Sequence, residues 1–159
     1  MYNTIYQITT EFLPDDDYLS DYDFYNHWFI DKIADHISNF TNRDDEINNL
    51  REWLEEQKDI LFVDGNSFKV LPSGKEIYFR DAFKRFSEAV KKTADMDLEK
   101  FIKDPGCTAL VDQIYNNFND QFGPYVSSDE FDTISFDKFI RSADIGTRYY
   151  INGVVNYHS

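Results

Sequence analysis

The sequence predicts an α+β fold in one domain, residues 1–159, helix-rich, with an N-terminal strand, a central β-hairpin and a C-terminal β-hairpin. Three observations carry that prediction. Apolar residues recur at helical spacing over much of the chain, the period drops to two in the stretch ILFVDGNSFKVLPSGKEIYF, and 159 residues with 42% hydrophobic and 18% aromatic content suffice for a real core. No repeat, low-complexity tract or Ser/Gly/Pro-rich linker divides the chain.

Residues 2–12, YNTIYQITTEF, read as a strand because Tyr and Ile favour the pleated backbone, and Pro14 ends the run. Ser20 with Asp23 three residues on is a capping box, which predicts a helix from about Asp21 to Phe40. Its buried stripe is Tyr22, Tyr25, Phe29, Ile30, Ile33, Ile37 and Phe40. Thr41 and Asn42 can cap a second helix, about Arg43 to Lys58, with Ile47, Leu50 and Leu54 inward and Trp53 at the edge of the stripe. The hairpin follows, with turn signals at Asp64-Gly65 and Ser73-Gly74.

A third helix, about 79–93, buries Phe79, Ala82, Phe83, Phe86, Ala89 and Val90 and spreads Arg80, Lys84, Arg85, Lys91 and Lys92 over its other side. A short helix near 97–103 stops at Asp104-Pro105-Gly106. Another, about 108–122, buries Leu110, Val111, Ile114, Tyr115 and Phe118 and ends at Gly123-Pro124. Ser135 caps a last short helix to about Ala143, and RYYINGVVNY closes the chain as a hairpin on Asn152-Gly153.

Much familiar chemistry has no footing here. The opening residues hold no basic, apolar leader, and nowhere do about 18 apolar residues run together, so a cytoplasmic protein with no membrane partner is expected. Cys107 is the only cysteine, which excludes an internal disulfide and a thiolate zinc cluster within one chain. The glycines are too scattered to cradle a phosphate. His27 and His36 fall on opposite sides of the expected helix, and His27 with Asp31 is too small a donor set for a metal. Counted as a calcium loop from Asp15, the sixth position is Ser20 and the twelfth Asn26, so an EF-hand fails. There is no GxSxG elbow, and no histidine lies near Cys107 in sequence. Neither an enzyme nor a cofactor is expected.

Charge is the strongest signal. Of a net −14, residues 1–60 hold 15 acids against 4 bases, residues 61–107 hold 8 against 9, and residues 108–159 hold 7 against 3. Such an asymmetry disfavours nucleic acid or an anionic membrane as the direct ligand and calls for a basic partner. LPDDDYLSDYDFYNHWF, residues 13–29, sets Asp15, Asp16, Asp17, Asp21 and Asp23 among six aromatic rings without one Lys or Arg. On the first expected helix Asp31 and Asp35 point away from the core, with Phe24 and Trp28 beside them. These two rings are either interface anchors or packed beneath the strand or the hairpin. On the second helix Asp45, Glu52, Glu55, Glu56 and Asp59 occupy one outward face over about 21 Å, in which a DNA strand places about six phosphates.

In size, acidity and aromatic-acidic helices the chain resembles the small DNA-mimic proteins of phages and mobile elements, such as ArdA-type antirestriction proteins and several anti-CRISPR proteins. The resemblance implies a stoichiometric, non-enzymatic inhibitor that occupies the nucleic-acid-binding surface of a CRISPR effector or restriction enzyme. It also implies that Asp31, Asp35, Asp45, Glu52, Glu55, Glu56 and Asp59 stand in for phosphates. The near-neutral middle third departs from a full duplex copy and points to a one-faced inhibitor. Two other readings share the same sequence: an immunity protein that neutralises a basic toxin, and an adaptor whose aromatic patch makes a homodimer.

Overall fold

The N-terminal alternation does produce a strand, β1 (Tyr2–Thr9), and it lies inside a mixed seven-stranded sheet. The structure, a computed structural model, describes residues 2–39, 42–56, 60–116, 123–128 and 132–159. Its further elements are β2 (His36–Ser38), α1 (Arg43–Glu56), β3 (Ile60–Asp64), β4 (Ser67–Val70), α2 (Gly74–Ala94), α3 (Leu98–Lys103), α4 (Cys107–Asn116), β5 (Tyr125–Ser127), β6 (Ile134–Ser135), α5 (Phe136–Ser142) and β7 (Arg148–His158). The α+β class therefore holds. The chain divides into two compact units, Met1–Lys75 with Gln121–Ser159, and Glu76–Asp120.

The larger unit contains the whole sheet, in the order β3-β4-β7-β1-β5-β6, with β2 on the far end of β7. Among the described strands only β1 and β5 run parallel; the other pairs are antiparallel. Successive side chains of a strand point to opposite faces, so register divides the core in two. Ile5, Tyr125, Val155 and Tyr157 form one face and pack against Phe24, Phe29 and Ala34, with Leu19, Ile30, Ile33 and Ile37 around them. Thr4 and Tyr6 turn the other way and meet α1: the Thr4 hydroxyl donates to the Glu46 carboxylate and the Tyr6 hydroxyl to the Glu46 carbonyl, both at 3.3 Å. Burial pushes the Tyr6 phenol well above its ordinary pKa, and the nearby Glu46 charge adds to the rise. As the amphipathic pattern requires, Ile47, Leu50 and Leu54 are the buried residues of α1. Trp53 and Phe139 continue that layer through Phe136, whose ring is 5.5 Å from Trp53. The hairpin of β3 and β4 turns at Gly65, and α5 starts at its Ser135 cap, where the hydroxyl accepts from the Lys138 N–H at 3.4 Å.

Three expectations about secondary structure give way. The stretch 21–40 is not a helix: the capping box forms, with the Asp23 carboxylate accepting from the Ser20 N–H at 2.7 Å, but it opens only the 3₁₀ turn Asp21–Phe24. Asn26 (φ 60°) and Asp31 (φ 70°) then take left-handed backbone, which no right-handed helix can contain. Successive three-residue closures, His27 N–H to the Phe24 carbonyl at 3.0 Å and Ile30 N–H to the His27 carbonyl at 3.1 Å, carry the chain to β2. Phe24, Phe29 and Ala34, spaced by five, reach the core, whereas Tyr22 and Tyr25 of the expected stripe face solvent. Phe40, Thr41 and Lys58 lie outside the described residues.

The C-terminal hairpin is the second correction, because β7 is one strand of 11 residues running straight through Asn152-Gly153. Tyr6 pairs with Val154 and Ile8 with Ile151, so β7 spends three steps where β1 spends two. Asn-Gly marks a bulge here and not a reversal. Third, Gly74 opens α2, so residues 75–79 of the expected second hairpin strand are helical.

The smaller unit, from Glu76, holds most of α2 and all of α3 and α4. The Asp97 side chain caps α3 by accepting from the Lys100 N–H at 2.8 Å. Phe118 lies outside the described residues.

Candidate acidic and aromatic interface

The bulge of β7 builds the scaffold of this surface. Asn152 is fully buried; its side-chain carbonyl accepts from the Leu13 N–H at 3.0 Å and its amide donates to the Thr9 hydroxyl at 2.7 Å. Next to it the Gln7 side-chain oxygen accepts from both Gly153 N–H and Leu19 N–H, each at 2.9 Å. The Gln7 amide donates to the Asp17 carbonyl at 3.1 Å. The two ends of the Asp-rich stretch are thus fastened to the sheet, at Leu13 and at Leu19. Between them Asp15–Asp17 form a 3₁₀ turn whose three carboxylates are exposed.

Arg43, at the start of α1, donates to the backbone carbonyls of Asn152 and Ile151 and lies over the Tyr18 ring, 4.8 Å from its centroid. Its guanidinium is committed to β7 and Tyr18 and, among the acids of the described residues, reaches Asp44 alone, at 3.4 Å. The Tyr18 phenol sits above its ordinary pKa, chiefly through burial and then through its hydrogen bond to Asp15, with Arg43 opposing and Asp44 adding to the rise. The contact of Arg43 with Tyr18 puts the end of the Asp-rich stretch beside the first turn of α1, the turn that carries Asp45.

Residues between Asp21 and Ile37 line an open groove of about 770 Å³. Phe24 forms its floor and is buried in the core, so it is not an interface anchor. Tyr22 and Tyr25, 84% and 83% exposed, stand on the groove instead, with Trp28 at 42%. Asp21, Asp31 and Asp35 also line it, with Lys32, His27 and His36 as the basic side chains of its lining. Asp21 is fixed by Asn39, which donates from its side chain at 2.7 Å, and Asp35 by the His158 ring at 3.3 Å. Asp16, Asp17 and Asp23 line a second, polar hollow of about 530 Å³ with Gln7, Ser127 and Ser128.

Trp28 is held in place from behind. Its indole N–H donates to Asp132, which also accepts from the Thr133 N–H at 2.8 Å and meets His27 Nε2 at 2.6 Å. His27 Nδ1 accepts from the Phe29 N–H at 3.2 Å, so the neutral ring carries its proton on Nε2, toward Asp132. Partial burial works to raise the Asp132 pKa, but the Thr133, His27 and Trp28 hydrogen bonds outweigh it and hold the carboxyl below its usual value.

The expected acidic front is split. Asp15, Asp16, Asp17, Asp21, Asp23, Asp31 and Asp35 belong to the segment on the Ile5–Tyr157 face of the sheet and its margin. Glu52, Glu55 and Glu56 are exposed on α1, which packs on the opposite face, about 10–16 Å along the helix from Asp45. Asp59 lies outside the described residues. Among the described residues, none of these carboxylates is held by a Lys or Arg; the ion pair that involves one of them is that of Asp35 with His158.

Sequence reasoning missed Tyr22 and Tyr25 as the exposed rings, and Gln7, Asn152 and Gly153 as their scaffold. Two signals were available: Asn26, a residue that tolerates left-handed backbone, and Gln7, a polar side chain in an apolar strand. Among the described residues no group of three or more His, Cys, Asp or Glu is placed to hold a metal ion, and no helix is long and apolar enough to cross a membrane. No family model, no curated protein and no solved structure matches the chain.

Proposed function

We propose that this protein is a non-enzymatic inhibitor of the antirestriction or anti-CRISPR kind, whose surface between Asp15 and Asp35 occupies the nucleic-acid-binding surface of a basic nuclease. One observation carries the reading: seven carboxylates lie along a segment pinned to a rigid sheet, without Lys or Arg partners among the described residues, and beside exposed Tyr22, Tyr25 and Trp28. Carboxylates match the Lys and Arg that such a nuclease offers to phosphates. The rings add faces on which a guanidinium or a base-stacking aromatic can lie. Because Leu13 and Leu19 are tied to the sheet, less freedom is lost when the partner docks.

The test is binding to a panel of restriction and CRISPR nucleases, with plasmid protection as the functional readout. Tyr25→Ala combined with Asp31→Asn and Asp35→Asn is expected to weaken binding at least tenfold, while Glu52→Gln with Glu55→Gln leaves it within about twofold, as peripheral charges do. The opposite ranking would move the interface to α1, and no binding to any nuclease of the panel would remove the inhibitor reading.

A further inference from the structure

The smaller unit has a shortage of core. Among residues 76–115, whose burial is described, only Ala89 is buried. The unit's helices are nevertheless amphipathic and leave part of their apolar stripes open, so that Phe83, Val90, Val111 and Tyr115, which the helical spacing places in a core, are exposed instead. Leu98, Phe101 and Ile102, spaced i, i+3, i+4 on one side of α3, are 65% to 73% exposed. Val111 and Tyr115, i and i+4 on α4, are each more than half exposed, and on α2 Phe83 and Val90, two turns apart, are exposed as well. At roughly 100 Å² of open surface each, these seven side chains, on three helices, expose about 700 Å² in all, near the ~800 Å² that each partner gives to a stable interface.

We infer that this surface is a homodimer interface, in which two copies of the chain cover each other's open stripes on α3 and α4. Charge selects a second copy as the occupant. Residues 76–120 hold seven bases and nine acids, so the unit is nearly neutral and its own charge does not oppose contact with a second copy of itself. The charge within it is also self-complementary. Residues 76–94 carry five bases against three acids and residues 95–116 carry two against five, so α2 of one copy attracts α3 and α4 of the other. A two-fold interface makes that contact twice. The inference is independent of the inhibitor reading, because none of its residues lies between Asp15 and Asp35.

Sedimentation equilibrium of the full chain between about 1 and 100 μM tests it, at a salt concentration high enough to screen the acidic unit. The expected result is a dimer that Phe101→Asp with Ile102→Asp, or Tyr115→Asp alone, converts to monomer with unchanged far-UV circular dichroism. Tyr25→Ala is expected to leave the dimer intact. Hydrogen exchange on the unmodified protein reads the same question without a mutation: amides of 98–115 gain protection as concentration rises. A monomer over the whole range, a dimer indifferent to both charged variants, or protection that does not change with concentration would each overturn the inference.

Discussion

Gly153 shows how a single position decides the geometry of the surface. A Cβ there would stand 2.4 Å from the Leu19 backbone nitrogen and 2.8 Å from the Gln7 side-chain oxygen, so the requirement is for close approach between β7 and the Asp-rich segment. Neither atom can yield cheaply, because each belongs to the hydrogen bond that joins Leu19 to Gln7. Gly153→Ala is therefore expected to cost about 2–3 kcal/mol, the upper part of the range for overpacking a tight site. Urea unfolding measures it. Gly146→Ala is the contrast: its φ of 82° disfavours a side chain, but nothing lies within 4 Å of the new methyl, so the cost should stay near the ~1 kcal/mol of left-handed backbone. If both variants lose equal stability, close packing at Gly153 is not what holds the segment down. The residue pair also explains a misreading. Asn-Gly between apolar residues is a strong hairpin signal in a sequence, and what defeats it here is tertiary: Asn152 satisfies buried groups on Thr9 and Leu13, which no local pattern announces.

At the scale of elements, legibility followed how local the determinants are. The helix α1 was readable because Ile47, Leu50 and Leu54 repeat at its own period, and α5 because Ser135 caps it within four residues. The stretch 21–38 failed for the converse reason. Its aromatic and aliphatic residues are so dense that a helical stripe can be drawn through them, yet Asn26 and Asp31 in left-handed backbone give the chain a different path. That path turns Tyr22 and Tyr25 outward and Phe24 inward, so the composition of the candidate site was legible, while the identity of its exposed rings was not. The front across both expected helices was likewise out of reach, since it depends on which face of the sheet each segment covers. The left-handed positions yield a test. Asn26→Gly should leave stability within about 0.5 kcal/mol, whereas Asn26→Ala should cost about 1 kcal/mol, because alanine lacks both the glycine backbone freedom and the local hydrogen bonding of asparagine. Thermal melts of the two variants compare them directly. Were Asn26→Ala stabilising, the stretch would be helical in solution and the groove would not exist as described.

Over the whole molecule the charge is divided as unevenly as the core. Outside residues 76–120 the chain carries 21 acids and 9 bases, so 12 of the 14 excess negative charges belong to the sheet-containing unit. Where such carboxylates lack basic partners, they repel one another in the folded state, and the repulsion is reduced as the Debye length falls from about 10 Å at 0.1 M salt to about 3 Å at 1 M. Salt should therefore act in opposite directions on two properties of the same protein. For the isolated chain, raising NaCl from about 0.05 to 0.5 M should lift the Tm by roughly 2–4 °C, what about 1 kcal/mol of relieved repulsion gives a protein of this size. For its complex with a nuclease, the same change should weaken binding by ten-fold or more, since attraction to Lys and Arg is screened in the same way. Differential scanning calorimetry and titration in matched buffers measure both. A Tm that falls or stays level would mean that the carboxylates are neutralised within the fold, and binding that ignores salt would mean that the partner is held by the rings and not by the charges.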